Sequence, residues 1–300
     1  MDFYIEAACG SSIGVVRGNN EDNFYFDGAY LPQENAGQKP PLQLSGRLDR
    51  DLCLAVLDGM GGGDYGEVAS YQGARQLKDA APLDAFGNLQ EQLQALVEQM
   101  NQRVWDAQVA LGTNRAGSTL ALVYLQGDQA VFCNVGDSRI FALRDGRLLQ
   151  VSQDHTDEAY MKAHNITGRR PRLTQYLGMD PGQVRIEPFV DKGTLHVADQ
   201  ILICSDGLTD MVSQERIVEI LTSGETADSC VQTLIRVAEE NGGKDNITVI
   251  LCRILERVEH ERNTSENTLE GLADQCLSWG RKLWNRVRDT AQNHWGDRGD

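Results

Sequence analysis

The stretch VLDGMGGGDYGE, Val56 to Glu67, closes an apolar run on an aspartate, then runs through a cluster of glycines to a second aspartate and a glutamate. A glycine-rich turn between a strand and a helix commonly cradles phosphate with backbone N–H groups, and such a loop carries a lysine after its glycines. Here an acid comes first, and Asp58 would repel a phosphate. The turn therefore reads as part of a cation site. Its glycines let the chain turn tightly into a helix near Gly66. Asp64 comes one glycine too late for that core and reads as a surface turn residue.

The same pattern recurs along the chain. Acids beside glycine or asparagine end apolar runs at Glu21-Asp22-Asn23, Asp58-Gly59, Gly136-Asp137, Asp206-Gly207 and Asp245-Asn246. Any one of these is an ordinary turn sequence. Gathered together, their carboxylates would repel one another unless cations neutralised them, and hard ions such as Mg²⁺ or Mn²⁺ take oxygen ligands of this kind. No cluster of histidines or thiolates competes for a softer metal.

Short β-branched or aromatic runs (FYIEAAC, NFYFD, DLCLAVLD, STLALVYL, AVFCNV, RIFALRD, VRIEPFV, QILICSD and NITVILCRI) predict strands, many of them apolar on both faces. Helical spacing marks Gly66–Asp79, Leu89–Leu111, Glu215–Leu221 and Thr226–Glu240. Helices that come in pairs, not alternating with strands, predict an α+β layered sandwich instead of a doubly wound sheet. Residues 28–50, holding three of the seven prolines, read as a surface loop between two strands. Residues 155–172 lack a strong period and read as a mobile loop. The compact domain is expected over 1–256. Beyond it, in 257–300, a polar linker leads into a C-terminal amphipathic helix carrying Leu269, Leu272, Cys276, Trp279, Leu283, Trp284 and Val287.

A chain of 300 residues with 41% hydrophobic and 24% charged residues is an ordinary globular composition. Its net charge of −16 argues against nucleic acid or an anionic membrane as the main partner. The seven cysteines are scattered, mostly within apolar runs, and read as reduced core residues. With no basic leader ahead of an apolar stretch and no apolar run of spanning length, a cytoplasmic location is expected.

Arg17-x-x-x-Glu21-Asp22, Asp58-Gly59-Met60-Gly61-Gly62 with Gly66-Glu67, Gly117-Ser118-Thr119, Asn134 to Arg139, Gln153-Asp154-His155, Leu173-Thr174 with Leu177-Gly178, Ser205 to Asp210 and Lys244 to Thr248 fall in one order and spacing. Over residues 5–255 this series resembles the successive motifs of the metal-dependent protein serine/threonine phosphatases, the type 2C or PPM family, in its bacterial branch. The resemblance implies a four-layer αββα sandwich of two antiparallel sheets flanked by helix pairs. It implies two divalent cations, Mn²⁺ or Mg²⁺, and a water between them that attacks phosphoserine or phosphothreonine directly. Asp58 would bridge the ions and the Gly59 carbonyl would bind one. Asp206 and Asp245 would complete the other, and Glu21 and Asp22 would hold metal-bound waters. Asp137, with Asp206, would take a third ion, and Arg17 would grip the substrate phosphate. Phosphorylated proteins and a cognate Ser/Thr kinase system are the implied partners. Met60 stands where animal members have histidine and cannot protonate a leaving alkoxide, so a metal-bound water would serve.

Several residues keep a second reading. Asp137 could instead pair with Arg139 across a hairpin, and Asp154-His155 reads as a structural turn. Arg169, Arg170 and Arg172 either steer phosphopeptides or are simply solvated. Cys133-x-x-Gly136-x-x-Arg139 has the spacing of cysteine-dependent phosphatases, but a strand and hairpin follow it where those enzymes need a helix N-terminus. A non-catalytic phosphoprotein-binding module would lack metal ligands, and every ligand position is filled. The tail helix, with Arg281, Lys282, Arg286 and Arg288 beside its tryptophans, is open to docking on its own domain, recruiting a partner, self-association or lying on a membrane.

Overall fold

The computed structural model describes residues 2–61, 65–84 and 87–258. Gly62, Gly63 and Asp64 of the opening motif, and the expected tail helix, lie outside the described residues. In chain order the first elements are β1 (Asp2–Ser12), β2 (Asn23–Phe26), β3 (Gly37–Arg47), β4 (Leu52–Leu57) and β5 (Gly59–Met60), then α1 (Gly66–Asp79) and α2 (Leu89–Ala110). Next come β6 (Gly117–Ser118), β7 (Leu120–Gln126), β8 (Gln129–Val135), β9 (Arg139–Arg144), β10 (Arg147–Gln150) and the short α3 (Glu158–Ala163). The chain continues through β11 (Phe189–Thr194), β12 (Gln200–Cys204), α4 (Asp206–Thr209), α5 (Gln214–Leu221), α6 (Ala227–Glu240) and β13 (Ile247–Val258).

Two antiparallel sheets form, one ordered β10-β9-β12-β13-β1-β3 and the other β11-β8-β7-β4-β2, with a small β5-β6 pair beside them. Three apolar clusters make the layers. Val56, Val123, Ile203 and Ile250 belong to the cluster between the sheets. Leu57, Leu122, Leu93 and Val97 pack α1 and α2 on the five-stranded sheet. Leu202, Leu251, Ile217 and Leu234 pack α5 and α6 on the six-stranded sheet. This is the expected αββα sandwich. Strands such as LCLAVL are apolar throughout because helices cover one face and the opposite sheet the other.

Two expectations are corrected. Residues 37–47, read as loop, form β3, an edge strand paired only to β1. Pro40 and Pro41 are tolerated because an edge strand leaves one side without a ladder, while Leu42 and Leu44 turn toward the core cluster. VRIEPFV is not a strand over its length: only Phe189 and Val190 enter β11, and pairing continues to Thr194 against β8. Among residues 155–172, α3 forms and Thr156 bridges Leu173. The final strand runs to Val258. Among the described residues no helix is long and apolar enough to cross a membrane.

Candidate active site

Asp58 leaves the end of β4 and is locked at once on both sides. Its N–H donates to Thr119 Oγ1 at 2.9 Å, and the Thr119 N–H donates back to its carbonyl at 2.9 Å. Thr119 Oγ1 is itself paired with Ser138 Oγ at 2.6 Å, which ties the turn after β4 to the turn after β8. Gly59 donates its N–H to the Glu21 carbonyl at 3.1 Å. A Cβ at Gly59 would fall 2.3 Å from both the Glu21 and Gly66 carbonyl oxygens, so only glycine fits there.

Asn246 is the second anchor. Its Oδ1 accepts from the Glu21 N–H at 2.8 Å, and its Nδ2 donates to the carbonyls of Ile13 (3.0 Å) and Asn19 (2.9 Å). One side chain thus holds the segment carrying Arg17, Glu21 and Asp22 against the turn carrying Asp245. Asp206 opens α4 beside it, and a Cβ at Gly207 would stand 1.9 Å from the Asn246 carbonyl oxygen.

These clamps bring Glu21, Asp58, Asp137, Asp206 and Asp245 to the wall of one open cleft of about 240 Å³, together with Arg17 and the Gly59 backbone. Met60, Thr119 and Leu173 complete its wall. Asp22 lies behind it, 1% exposed, with Oδ2 accepting from Ser205 Oγ at 2.8 Å and Oδ1 without a partner. A wider groove of about 590 Å³ lies between the Lys39–Pro41 end of β3 and α6, away from these acids. Chemistry, not volume, therefore marks the site.

Five of these acids, Glu21, Asp22, Asp58, Asp137 and Asp206, are held above their ordinary ionisation. Burial, reinforced by Asp22, Asp206, Asp137 and Asp245, pushes the Asp58 carboxyl well above the usual range. Burial raises Asp22 to about 7, and burial with Asp137 and Asp210 raises Asp206 to about 7. Asp137 and Glu21 are also raised, chiefly by burial. Arg17 donates Nη2–H to Asp245 at 2.6 Å, which holds its guanidinium charged.

An oxygen-only donor set, one glycine carbonyl and an orphaned buried carboxylate oxygen fit hard divalent cations. No group of three acids, histidines or cysteines among the described residues stands in finished ion-site geometry. Carboxylates that repel one another are expected to stand apart until a positive charge draws them in.

The competing residues go elsewhere. Arg139 does not pair with Asp137; it grips Asp154 through Nε (3.0 Å) and Nη2 (2.7 Å) and reaches Thr209 through Nη1. Asp154 occupies the guanidinium fork from two sides, and Asp137, in the tight turn between β8 and β9, lies on the cleft wall instead. His155 is structural: its Nδ1 accepts from the Gly136 N–H at 3.3 Å and its own N–H donates to the Gly136 carbonyl at 2.8 Å. Arg169 pairs with Asp157 at 2.7 Å and Arg170 with Asp210 at 3.0 Å, while Arg172 is exposed. Cys133 is fully buried in β8 with its thiol pushed up to about 12 by burial, and a hairpin follows it. It has neither a helix N-terminus nor a spare arginine for phosphate.

Sequence reasoning gave no role to Asn101. On the buried stripe of α2, its Oδ1 accepts from the N–H groups of Gly178 (2.8 Å) and Met179 (3.0 Å), and its Nδ2 donates to the Met179 carbonyl at 2.9 Å. That fixes Leu177, which exchanges two backbone bonds with Ser118, the partner of Gly59 in β5–β6. A polar residue next to Met100 on a face otherwise made of Leu93, Val97, Met100, Val104 and Gln108 was the available signal.

A family model described as Protein phosphatase 2C matches residues 42–252. The serine/threonine phosphatase stp of Listeria innocua is 32% identical over 251 residues, covering 79% of this chain and 91% of that protein. The serine/threonine protein phosphatase PstP of Mycobacterium tuberculosis is 33% identical over 267 residues, 85% of this chain; the alignment spans 46% of PstP, about half its length. The solved catalytic domain of a PstP in complex with 2 manganese ions superposes with a TM-score of 0.64 at 29% identity, covering 85% of this chain and 100% of that one.

Two outcomes are expected from this geometry. Asp22 and Asp206 keep their protons to about pH 7 in the fold, whereas unfolded aspartate releases its proton near 3.9. In chelator the thermal midpoint should therefore fall as pH rises from about 5 to 8. Added Mn²⁺ should raise it most at the higher pH; a chelated midpoint that rises over this window would refute the assignment. Asn101→Ala should lower stability by roughly 1–3 kcal/mol in urea unfolding, because it strands the buried N–H groups of Gly178 and Met179.

Proposed function

The chain belongs to the protein phosphatase 2C family, and from that membership we propose that it hydrolyses phosphoserine and phosphothreonine on protein substrates with two divalent cations in the acidic cleft. The observation that carries this reading is the convergence of Asp58, Asp206, Asp245, Glu21, Asp137 and Arg17 on one cleft. Mn²⁺ or Mg²⁺ supplies Lewis acidity there and a water acidic enough to lose its proton near neutral pH. No protein nucleophile is then needed, in keeping with the buried thiol of Cys133.

The roles proposed for the chain's own groups are those of the matching family motifs, and the positions of the groups support them. Asp58, fixed by Thr119, would be the shared ligand, and the Gly59 carbonyl beside it would serve one ion. Asp206 and Asp245 would serve the other. Glu21 and the half-satisfied Asp22 hold water, and Asp137 with Asp206 has the charge for a third ion. Arg17 orients the phosphate by its planar fork of donors, one of which Asp245 already engages. Substrates are phosphoproteins, so a Ser/Thr kinase must act upstream; the soluble cytoplasm is the setting proposed for both.

Asp206→Asn should lower kcat by at least about a hundredfold in Mn²⁺ and leave the fold intact, with a metal-free thermal midpoint no lower than that of the parent. Near-normal turnover would show that Asp206 is no ligand. Arg17→Ala removes a charge-assisted phosphate contact of roughly 1.5–3 kcal/mol, about ten- to a hundredfold in kcat/KM on phosphothreonine peptides. Cys133→Ser should keep parental turnover, and chelation should abolish it; alkylation-sensitive, chelator-resistant activity would reverse the reading.

A further inference from the structure

Next to Arg17 the surface changes character. The cleft wall is charged, yet Val15 and Val16 each leave 66% of their surface in water, the most exposed large apolar side chains among the described residues. Single exposed apolar residues are common, but two adjacent ones beside a candidate substrate contact form a patch. Their backbone is fixed. Val15 and Val16 both donate N–H to the Gly243 carbonyl, at 2.8 and 3.3 Å, and Gly14 N–H donates to Ser12 Oγ at 3.2 Å.

The turn is packed closely against the segment that carries Asp245. A Cβ at Gly14 would stand 2.3 Å from the Asp245 carbonyl oxygen, and one at Gly243 would stand 2.7 Å from Val15 Cγ2. Val15 therefore lies on the backbone of the very turn that carries Asp245. None of this is needed for core packing, since both valines face water and polar residues would satisfy the same backbone bonds.

We propose that Val15 and Val16 form an apolar ledge that receives a branched or aromatic side chain of the phosphoprotein, one or two residues from the phosphorylated serine or threonine. The inference rests on the assignment of Arg17 to the phosphate. An extended peptide advances about 3.3 Å per residue, so a side chain one or two positions away reaches a ledge one or two residues from Arg17. The chain's net charge of −16 disfavours acidic residues in the same place. The ledge would thus select phosphosites with apolar flanks.

The test compares phosphothreonine peptides that differ only in carrying leucine and valine, or serine and asparagine, at the two positions on either side of the phosphoresidue. The parent protein in Mn²⁺ should prefer the apolar-flanked peptide by roughly three- to tenfold in kcat/KM. Val15→Ser with Val16→Ser should erase that preference and leave turnover of the polar-flanked peptide unchanged. The near-isosteric pair Val15→Thr with Val16→Thr, checked for an unaltered thermal midpoint, should weaken the preference in the same direction. A parent that does not discriminate, or serine variants that lose both peptides equally, would overturn the ledge while leaving the active site standing. A parent that hydrolyses neither peptide would overturn the active-site reading and the ledge with it.

Discussion

The structure depends on a concentration of negative charge that the protein does not neutralise by itself. Asp22 is buried and Asp58 and Asp206 are partly buried within reach of one another, and each responds by holding its proton beyond the usual range. Burying repelling carboxylates opposes folding, so the rest of the molecule must hold them in place. That is why the turns around them are so fully bonded. Thr119, Asn246 and Ser205 each satisfy backbone or carboxylate groups at the same edge, and Ser138 Oγ holds the Thr119 hydroxyl in place. Gly59 and Gly207 allow backbone to pass where any side chain would collide.

The proposed ligands come from both halves of the sandwich. Asp58 follows β4 in the five-stranded sheet, whereas Asp206 follows β12 and Asp245 precedes β13 in the six-stranded one. Their separation is therefore set by how the two sheets pack, through Val56, Ile203 and Ile250 in the cluster between them. A small change of register in either sheet would move one ligand set against the other. The core between the sheets is in this sense part of the site, and the helices outside act on it more weakly, as Asn101 does through Leu177 and Ser118.

Much of this was legible in the sequence, for physical reasons that also explain the failures. The helices at Gly66–Asp79 and Ala227–Glu240 carried clear periods because each buries one stripe on a sheet. The strands carrying Asp58 and Asp206 were legible as apolar runs that stop at an acid. β3 was missed because an edge strand needs only one buried face and tolerates proline, so it reads like a loop. The pairing of Arg139 with Asp154 was missed because their contact joins two turns whose spacing in the chain does not reveal it. Cys133 shows the limit of spacing in the other direction, since its match to a nucleophile loop vanishes once a hairpin is seen to follow it.

Arg17 and Asp245 form an ion pair at 2.6 Å, but with side chains about half and a third exposed it adds at most about 1 kcal/mol to stability. Its meaning lies in placement. The segment from Gly14 to Val16 is bonded to the Gly243 carbonyl and pressed against the Asp245 backbone, so the two charged residues share one rigid unit. If Asp245 moves to meet a cation, the backbone of Arg17 keeps its position and its guanidinium need only swing. The proposed phosphate grip of Arg17 and the proposed cation ligand Asp245 are thus held in one frame by backbone contacts, and the ion pair is free to open without loosening either.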